Sequence, residues 1–202
     1  MITEDFLKEL SSKAPTPGGG GVAALCAALS SALCAMVANL TSGKKKYAEF
    51  QEDIEKILIK CEEMTPLLYS YIKKDAEAFE PLSKAYSIPK DDPERDKVMG
   101  KALLDAANTP LELLRLLDKV CDMLDELVIK GSKIAISDVA VSATTLRAAA
   151  ESAIMNVYIN TKLMGDKEIA KKLDDEASEL LIKIVYRTNK VYTQVMEELT
   201  KN

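Results

Sequence analysis

The sequence has no histidine and no tryptophan, aromatics make up only 5 % of it, and its four cysteines form no C-x-x-C spacing. Without histidine there is no imidazole base, no Ser-His-Asp arrangement and no histidine metal site, so proton transfer falls to carboxylates, lysines or tyrosines. Cys26, Cys34, Cys61 and Cys121 sit in apolar helical contexts, where free thiols act as small hydrophobic groups. The expectation is a reduced, cytoplasmic protein that uses no metal. Basic residues are not in excess: 27 Lys and Arg against 32 Asp and Glu leave a net charge of −5, which argues against a general nucleic-acid binder. Strand-like alternation, repeats and low-complexity tails are missing as well. The N-terminal MITEDFLKEL is acidic and amphipathic, unlike a signal peptide.

What is present is helical material. The 202 residues are 48 % hydrophobic and 29 % charged, rich in Ala, Leu, Lys and Glu. That composition predicts an all-α fold, a single-domain bundle of long helices covering residues 1–202.

The densest information lies between Thr16 and Tyr47, TPGGGGVAALCAALSSALCAMVANLTSGKKKY. A glycine loop opens an uncharged, alanine-rich helix that ends at three lysines. Glycines let the backbone approach a ligand closely, and the unpaired N–H groups of a first helical turn attract anions or electron-rich rings; a tight entry into the helix explains the same residues equally well. A Rossmann loop or P-loop needs a preceding strand, whereas Ile2, Phe6, Leu7 and Leu10 have helical spacing. The G-x-x-x-x-G-K-[ST] pattern is absent too, since Gly43 is followed by Lys44, Lys45 and Lys46. Val22 to Thr41 is long enough to cross a bilayer, but its Ala, Ser, Cys and Asn content fits a buried central helix better, and no membrane role is expected. The same uncharged helix has too few polar residues for a solvent face, which predicts a homodimer.

Further along, apolar residues from Tyr47 through Phe79 and Leu82 predict one very long helix from Lys45 to about Tyr86, with a kink at Pro66 and an end or bend at Pro81. A helix over about Pro93 to Ala107 follows. Asn108-Thr109-Pro110 then reads as the start of another, which Gly131 closes near Lys130. The remaining helices are predicted from about Ile134 to Met164 and, capped by Asp166, from there to the C-terminus.

Two positions break the pattern. Asp75 lies three residues after Ile72 and four before Phe79, so its carboxylate shares the apolar stripe, where a charge needs a partner or a raised pKa. A buried cap or salt bridge would explain it as well as a catalytic group would; Lys73, Lys74 and Glu77 beside it read as a solvated face. In the later helix Asp138, Ser142, Thr145, Ser152, Asn156 and Asn160 form a polar ladder. Solvent faces elsewhere in this chain use Lys and Glu, as in KEIAKKLDDEASE, so uncharged amides favour an enclosed site over a wet face.

Taken together, APTPGGGGVAAL, MVANLTSGKKKY, KDAEAF and SDVAVSATTLRAAAESAIMNVYIN resemble the cyclodeaminase domain of formiminotransferase-cyclodeaminase and its stand-alone bacterial relatives, which include methenyltetrahydrofolate cyclohydrolases. The resemblance covers nearly the whole chain. It implies an all-helical subunit that dimerises, a folate site near the subunit interface, and catalysis without metal or organic cofactor. Carried over residue by residue, it implies a glycine loop of Gly18, Gly19 and Gly20, a lysine motif of Lys44, Lys45, Lys46 and Tyr47, the carboxylate Asp75, and Asp138, Asn156 and Asn160 from the late motif. Gly21 and Ser152 depart from residues common in the family, Ser and Gly respectively.

The expected reaction is conversion of 5-formiminotetrahydrofolate to 5,10-methenyltetrahydrofolate and ammonia. Asp75 would act as acid and base, Asp138 would orient the pterin or relay a proton, and the two asparagines would read pterin or amide edges. The lysines and loop amides would hold the glutamate carboxylates of a folate, including a polyglutamate tail. The alternatives are hydrolysis of 5,10-methenyltetrahydrofolate to the 10-formyl form, and a folate-binding helical protein without catalysis.

Overall fold

The computed structural model describes residues 4–201 and is helical throughout, with no strand among the described residues. Six α-helices follow in order: α1 (Glu4–Leu10), α2 (Gly19–Thr41), α3 (Gln51–Tyr86), α4 (Arg95–Lys130), α5 (Ile136–Thr161) and α6 (Lys167–Thr200). Short 3₁₀ turns at Lys45–Phe50 and Lys133–Ala135 lead into α3 and α5. Ile2, counted in the first amphipathic pattern, lies outside the described residues.

α2 sits between α3 and α5 and runs antiparallel to both. Ser30 and Ser142 fix its pairing with α5: their hydroxyls lie 2.9 Å apart, and Ser142 Oγ donates to Ser30 O at 2.9 Å. Ser31 Oγ and Thr65 Oγ1, 2.8 Å apart, do the same against α3. Close approach is possible because both helices present small side chains: Ala23, Ala24, Ala27 and Ala38 of α2, and Ala143, Ala149, Ala150 and Ala153 of α5, all almost fully buried. α4 lies behind this layer and supplies the large core residues Leu111, Leu114, Leu117, Leu124 and Leu127. Each contributes about 1.5–3 kcal/mol through burial. α6 packs on α4 and α5. Arg187 ties it down by bonding Asp118, Asp122 and Asp125 of α4 at 3.0, 2.7 and 2.6 Å.

α2 is long and apolar enough to cross a membrane by length and composition, but here its Ala-rich face is packed into the bundle. Two of the six ladder residues prove structural: Ser142 is buried between α2 and α5, and Thr145 bonds back to its own helix.

Three predicted helix boundaries are corrected. The long helix does not begin at Lys45: Tyr47 is non-helical (φ −117°, ψ 18°) because its ring turns inward, where its hydroxyl accepts the Lys133 N–H at 2.9 Å. Pro81 does not end α3, which runs through both Pro66 and Pro81 to Tyr86; the carbonyls the two prolines leave unpaired belong to the exposed residues Glu62 and Glu77, where water can serve them. Pro110 starts no new helix; α4 runs through it from Arg95 to Lys130. The carbonyl that Pro110 cannot serve, Ala106 O, instead accepts a bond from Asn160 Nδ2 at 3.2 Å. A proline in α4 thereby anchors a polar side chain of α5.

Candidate active site

A cavity of about 230 Å³ opens where α2 begins. Gly18, Gly19 and Gly20 form one wall, Asp75 and Phe79 of α3 a second, and Asn156 and Asn160 of α5 a third; Thr16, Tyr86, Ile159 and Leu163 border it. The structure therefore brings together the glycine loop, the out-of-pattern carboxylate and both late asparagines.

The glycines have a more specific reason than a permissive backbone. A Cβ at Gly20 would fall within 2.6 Å of all three carboxyl atoms of Asp75, and one at Gly19 would press on the Asn156 amide at 3.3 Å. The start of α2 is thin so that two polar side chains can lie against it. Asp75 is half-buried, and burial pushes its pKa above the ordinary carboxylate range, with the Gly21 backbone N–H opposing the shift. The result is a carboxyl group held at the positive end of a helix yet costly to ionise.

Both asparagines use their N–H groups on backbone carbonyls. Asn156 Nδ2 donates to Ser152 O at 2.9 Å, and Asn160 Nδ2 donates to Asn156 O at 2.7 Å as well as to Ala106 O. Their amide oxygens are left as acceptors at the cavity wall. Chemically, the cavity offers one proton-transfer group, two acceptors, helix-terminal N–H groups and an apolar floor of Phe79 and Leu82.

The other site candidates lie elsewhere in the subunit. α2 has 23 residues, so Lys44, Lys45, Lys46 and Tyr47 lie about 35 Å from the glycine loop. Asp138 is in the first turn of α5, eighteen residues before Asn156 and about 27 Å away along the helix. The glycine loop and the lysine motif thus stand at opposite ends of α2, and one chain does not bring all of the candidates into a single cavity. At that far end the three lysines are exposed and Tyr47 is buried. Lys44 Nζ donates to Ser132 Oγ at 3.4 Å. The Lys133 N–H lowers the Tyr47 pKa, burial opposes this, and Ser132, Lys46 and Lys44 reinforce the lowering.

Sequence reasoning missed the parts played by Thr16, Tyr86, Ile159 and Leu163. Leu163 and Ile159 do follow Asn160 and Asn156 at helical spacing, so the ladder carried a signal for them. Among the described residues, no group of three or more Cys, Asp or Glu side chains converges as a metal site.

With this geometry established, comparison with known proteins is informative. The family model described as formiminotransferase-cyclodeaminase matches residues 2–179. A methenyltetrahydrofolate cyclohydrolase of Methylorubrum extorquens is 37 % identical over 200 residues, covering 97 % of this chain and 96 % of that protein. The formimidoyltransferase-cyclodeaminase of Mus musculus is 32 % identical over 180 residues, covering 87 % of this chain and 33 % of that protein, so the chain spans about a third of the bifunctional relative. In three dimensions, the crystal structure of formiminotetrahydrofolate cyclodeaminase from Thermotoga maritima superposes with a TM-score of 0.90 at 30 % identity, over 98 % of each chain. Sequence and structure agree along almost the whole length: the chain belongs to the formiminotransferase-cyclodeaminase family.

Proposed function

We propose that the protein is a one-carbon folate enzyme acting on the carbon that bridges N5 and N10 of tetrahydrofolate, with Asp75 as its proton-transfer group. The observation that carries this reading is the half-buried Asp75 carboxyl, raised in pKa, facing the amide groups of Asn156 and Asn160 across a cavity. A group of that kind exchanges protons near neutral pH more readily than an ordinary carboxylate. The amide oxygens of Asn156 and Asn160 suit the N–H edge of a pterin, and Phe79 suits its face. The reading needs no metal and no cofactor beyond the folate substrate.

Two reactions share this chemistry. In the cyclohydrolase direction, Asp75 takes a proton from water as its oxygen attacks the methenyl carbon; the carbon–N5 bond of the adduct then breaks, N5 takes a proton, and 10-formyltetrahydrofolate forms with net release of one proton. In cyclodeamination, N10 attacks the formimino carbon and loses its proton to Asp75; the formimino nitrogen takes up two protons, that one from Asp75 and one from solvent, and leaves as ammonia. The 37 % identity over both full lengths favours the cyclohydrolase as the first reading, ahead of the cyclodeaminase reaction expected from the sequence. The 30 % identity to the cyclodeaminase of known structure supports the second. Incubating the pure protein separately with 5,10-methenyl- and 5-formiminotetrahydrofolate, while following methenyl absorbance and ammonia, separates them. Turnover of neither substrate would refute the enzyme reading and leave a folate-binding protein.

The assembly proposed is a homodimer. Leu29, Met36 and Leu40 of α2 are exposed to 42, 39 and 44 %, and Val141, Met155 and Ile159 continue the apolar surface on α5. Val22 to Thr41 carries no charge at all. Antiparallel pairing of two α2 helices about the small, exposed Ala32 covers this face. Gly20 lies twelve residues before Ala32 and Lys44 twelve after it, so such a pair sets the lysines of one subunit beside the glycine loop of the other. A cavity of 230 Å³ is below the roughly 300–1,000 Å³ of sites that enclose a drug-sized ligand, which fits a site holding the pterin alone. The lysines, Tyr47 and Asp138 of the partner subunit would then meet the rest of the folate and its glutamate tail. The four free thiols, three of them buried, suit a reducing compartment, and we assign the protein to the cytoplasm.

A further inference from the structure

We propose that Asp75 exchanges its proton with solvent by a rear path, through one water in a narrow recess, the Tyr71 hydroxyl and Glu112, separate from the mouth through which substrate enters. This rests on Asp75 being the proton-transfer group of the proposed reaction. Asp75 and Gly20 border two spaces: the cavity described above and, behind it, a second one of about 10 Å³. The second is a narrow recess walled mainly by apolar groups, among them Ala23, Pro110 and Leu113, with Asp75, Tyr71 and Thr109 as its polar-bearing residues. Its volume is about that of one water-sized probe, and a site with two or more polar partners holds a water where an apolar one stays dry.

The geometry continues outward from there. Tyr71 precedes Asp75 by one helical turn and shares its face. The ring is buried, 6 % exposed, and its hydroxyl donates to Glu112 Oε2 on α4 at 3.2 Å. Glu112 is exposed. Burial, and then the Glu112 charge, push the Tyr71 phenol up to about 12, so it stays protonated and remains a donor to Glu112. Lys74 Nζ stands 4.2 Å from the centre of the Tyr71 ring, and Arg115 beside Glu112 is engaged by Glu176 at 2.6 and 2.9 Å.

The proton balance gives this path a purpose. Hydrolysis of the methenyl carbon leaves one net proton per turnover on Asp75, while the folate fills the front cavity. Asp75 passes that proton to the water in the recess, the water passes one to the Tyr71 oxygen, and the phenolic proton moves to Glu112, which releases it to bulk. Each carrier gains one proton and loses one. In the cyclodeaminase direction the same chain runs inward.

The test is Tyr71→Phe, which removes the hydroxyl and keeps the ring. KM should stay at the wild-type value while kcat falls about tenfold, well short of the roughly 10²–10⁴-fold expected when an acid–base group itself is lost. The solvent deuterium isotope effect on kcat should rise, and turnover should become dependent on the concentration of a small buffer such as formate. Glu112→Gln, at the surface and safe for folding, should give a smaller change of the same sign. Unchanged kcat in Tyr71→Phe, or a fall without isotope or buffer sensitivity, overturns the relay and leaves a packing role for the ring. If Asp75→Asn turns over normally, the catalytic assignment fails first; an inactive Asp75→Asn beside a fully active Tyr71→Phe removes only the relay.

Discussion

Gly20 leaves the space that the carboxyl group of Asp75 occupies: a side chain as small as alanine there would place its Cβ within 2.6 Å of all three carboxyl atoms. The glycine is a property of α2 and the carboxylate a property of α3, so the two are functionally one unit joined across the helix interface.

Gly20→Ala should therefore displace Asp75 and leave the rest of the bundle intact. A misplacement on the order of 1 Å costs about 100-fold in rate when geometry controls the chemistry. The expected outcome is a fall of that order in kcat with circular dichroism unchanged. Wild-type turnover in this variant would show that the contact does not matter to catalysis.

Asp75→Asn should abolish turnover and retain folate binding. For the wild type, the acidic limb of the pH–rate profile should sit above the ordinary Asp value of about 3.9, since burial raises this group. The stability consequence has a definite sign. A carboxyl whose pKa is raised in the folded state contributes stability that is full below the unfolded value and is lost as pH rises through the folded value. Asp75→Asn should accordingly be no less stable than wild type at pH 8, with the difference moving in favour of wild type on acidification. Thermal melts of both proteins across that range decide it.

Asn160 and Pro110 should be coupled. Asn160→Ala leaves the Ala106 carbonyl without its partner, at a cost of about 1–3 kcal/mol. Pro110→Ala restores a backbone N–H able to serve that carbonyl, so the double variant should lose less than the sum of the two. Chemical denaturation of the four proteins gives the coupling energy, and strict additivity would refute the exchange of one bond for the other.

Replacing Lys44, Lys45 and Lys46 together with Gln should weaken binding of long polyglutamates more than of the monoglutamate. Each exposed pairing lost is worth about 0.2–1 kcal/mol, and added salt should compress the wild-type preference, with screening over roughly 8–10 Å at 0.15–0.1 M. Leu29→Glu, placed on the exposed face of α2, should give a monomer by light scattering and lose the same tail preference, because the lysines then stand about 35 Å from the cavity of their own chain. Equal weakening at every tail length would withdraw the lysines from the tail.

Periodicity and composition determined the all-helical class, the uncharged central helix and the oddity of Asp75. These are legible because helix formation and facial burial depend on residues three and four apart. The same local reading misplaced the boundaries at Lys45 and Pro110. In both places a bond from a distant segment decided the outcome: Lys133 drew Tyr47 inward, and Asn160 answered the carbonyl that Pro110 left open. The motifs named the candidates but carry no record of the distances between them. Tertiary structure decided that Asp75, Asn156 and Asn160 meet at the thin start of α2, while the lysines, Tyr47 and Asp138 lie at the opposite end. The physical reason is the helix itself: a rigid rod of 23 residues, packed antiparallel between its neighbours, fixes which ends meet and keeps its own two ends apart.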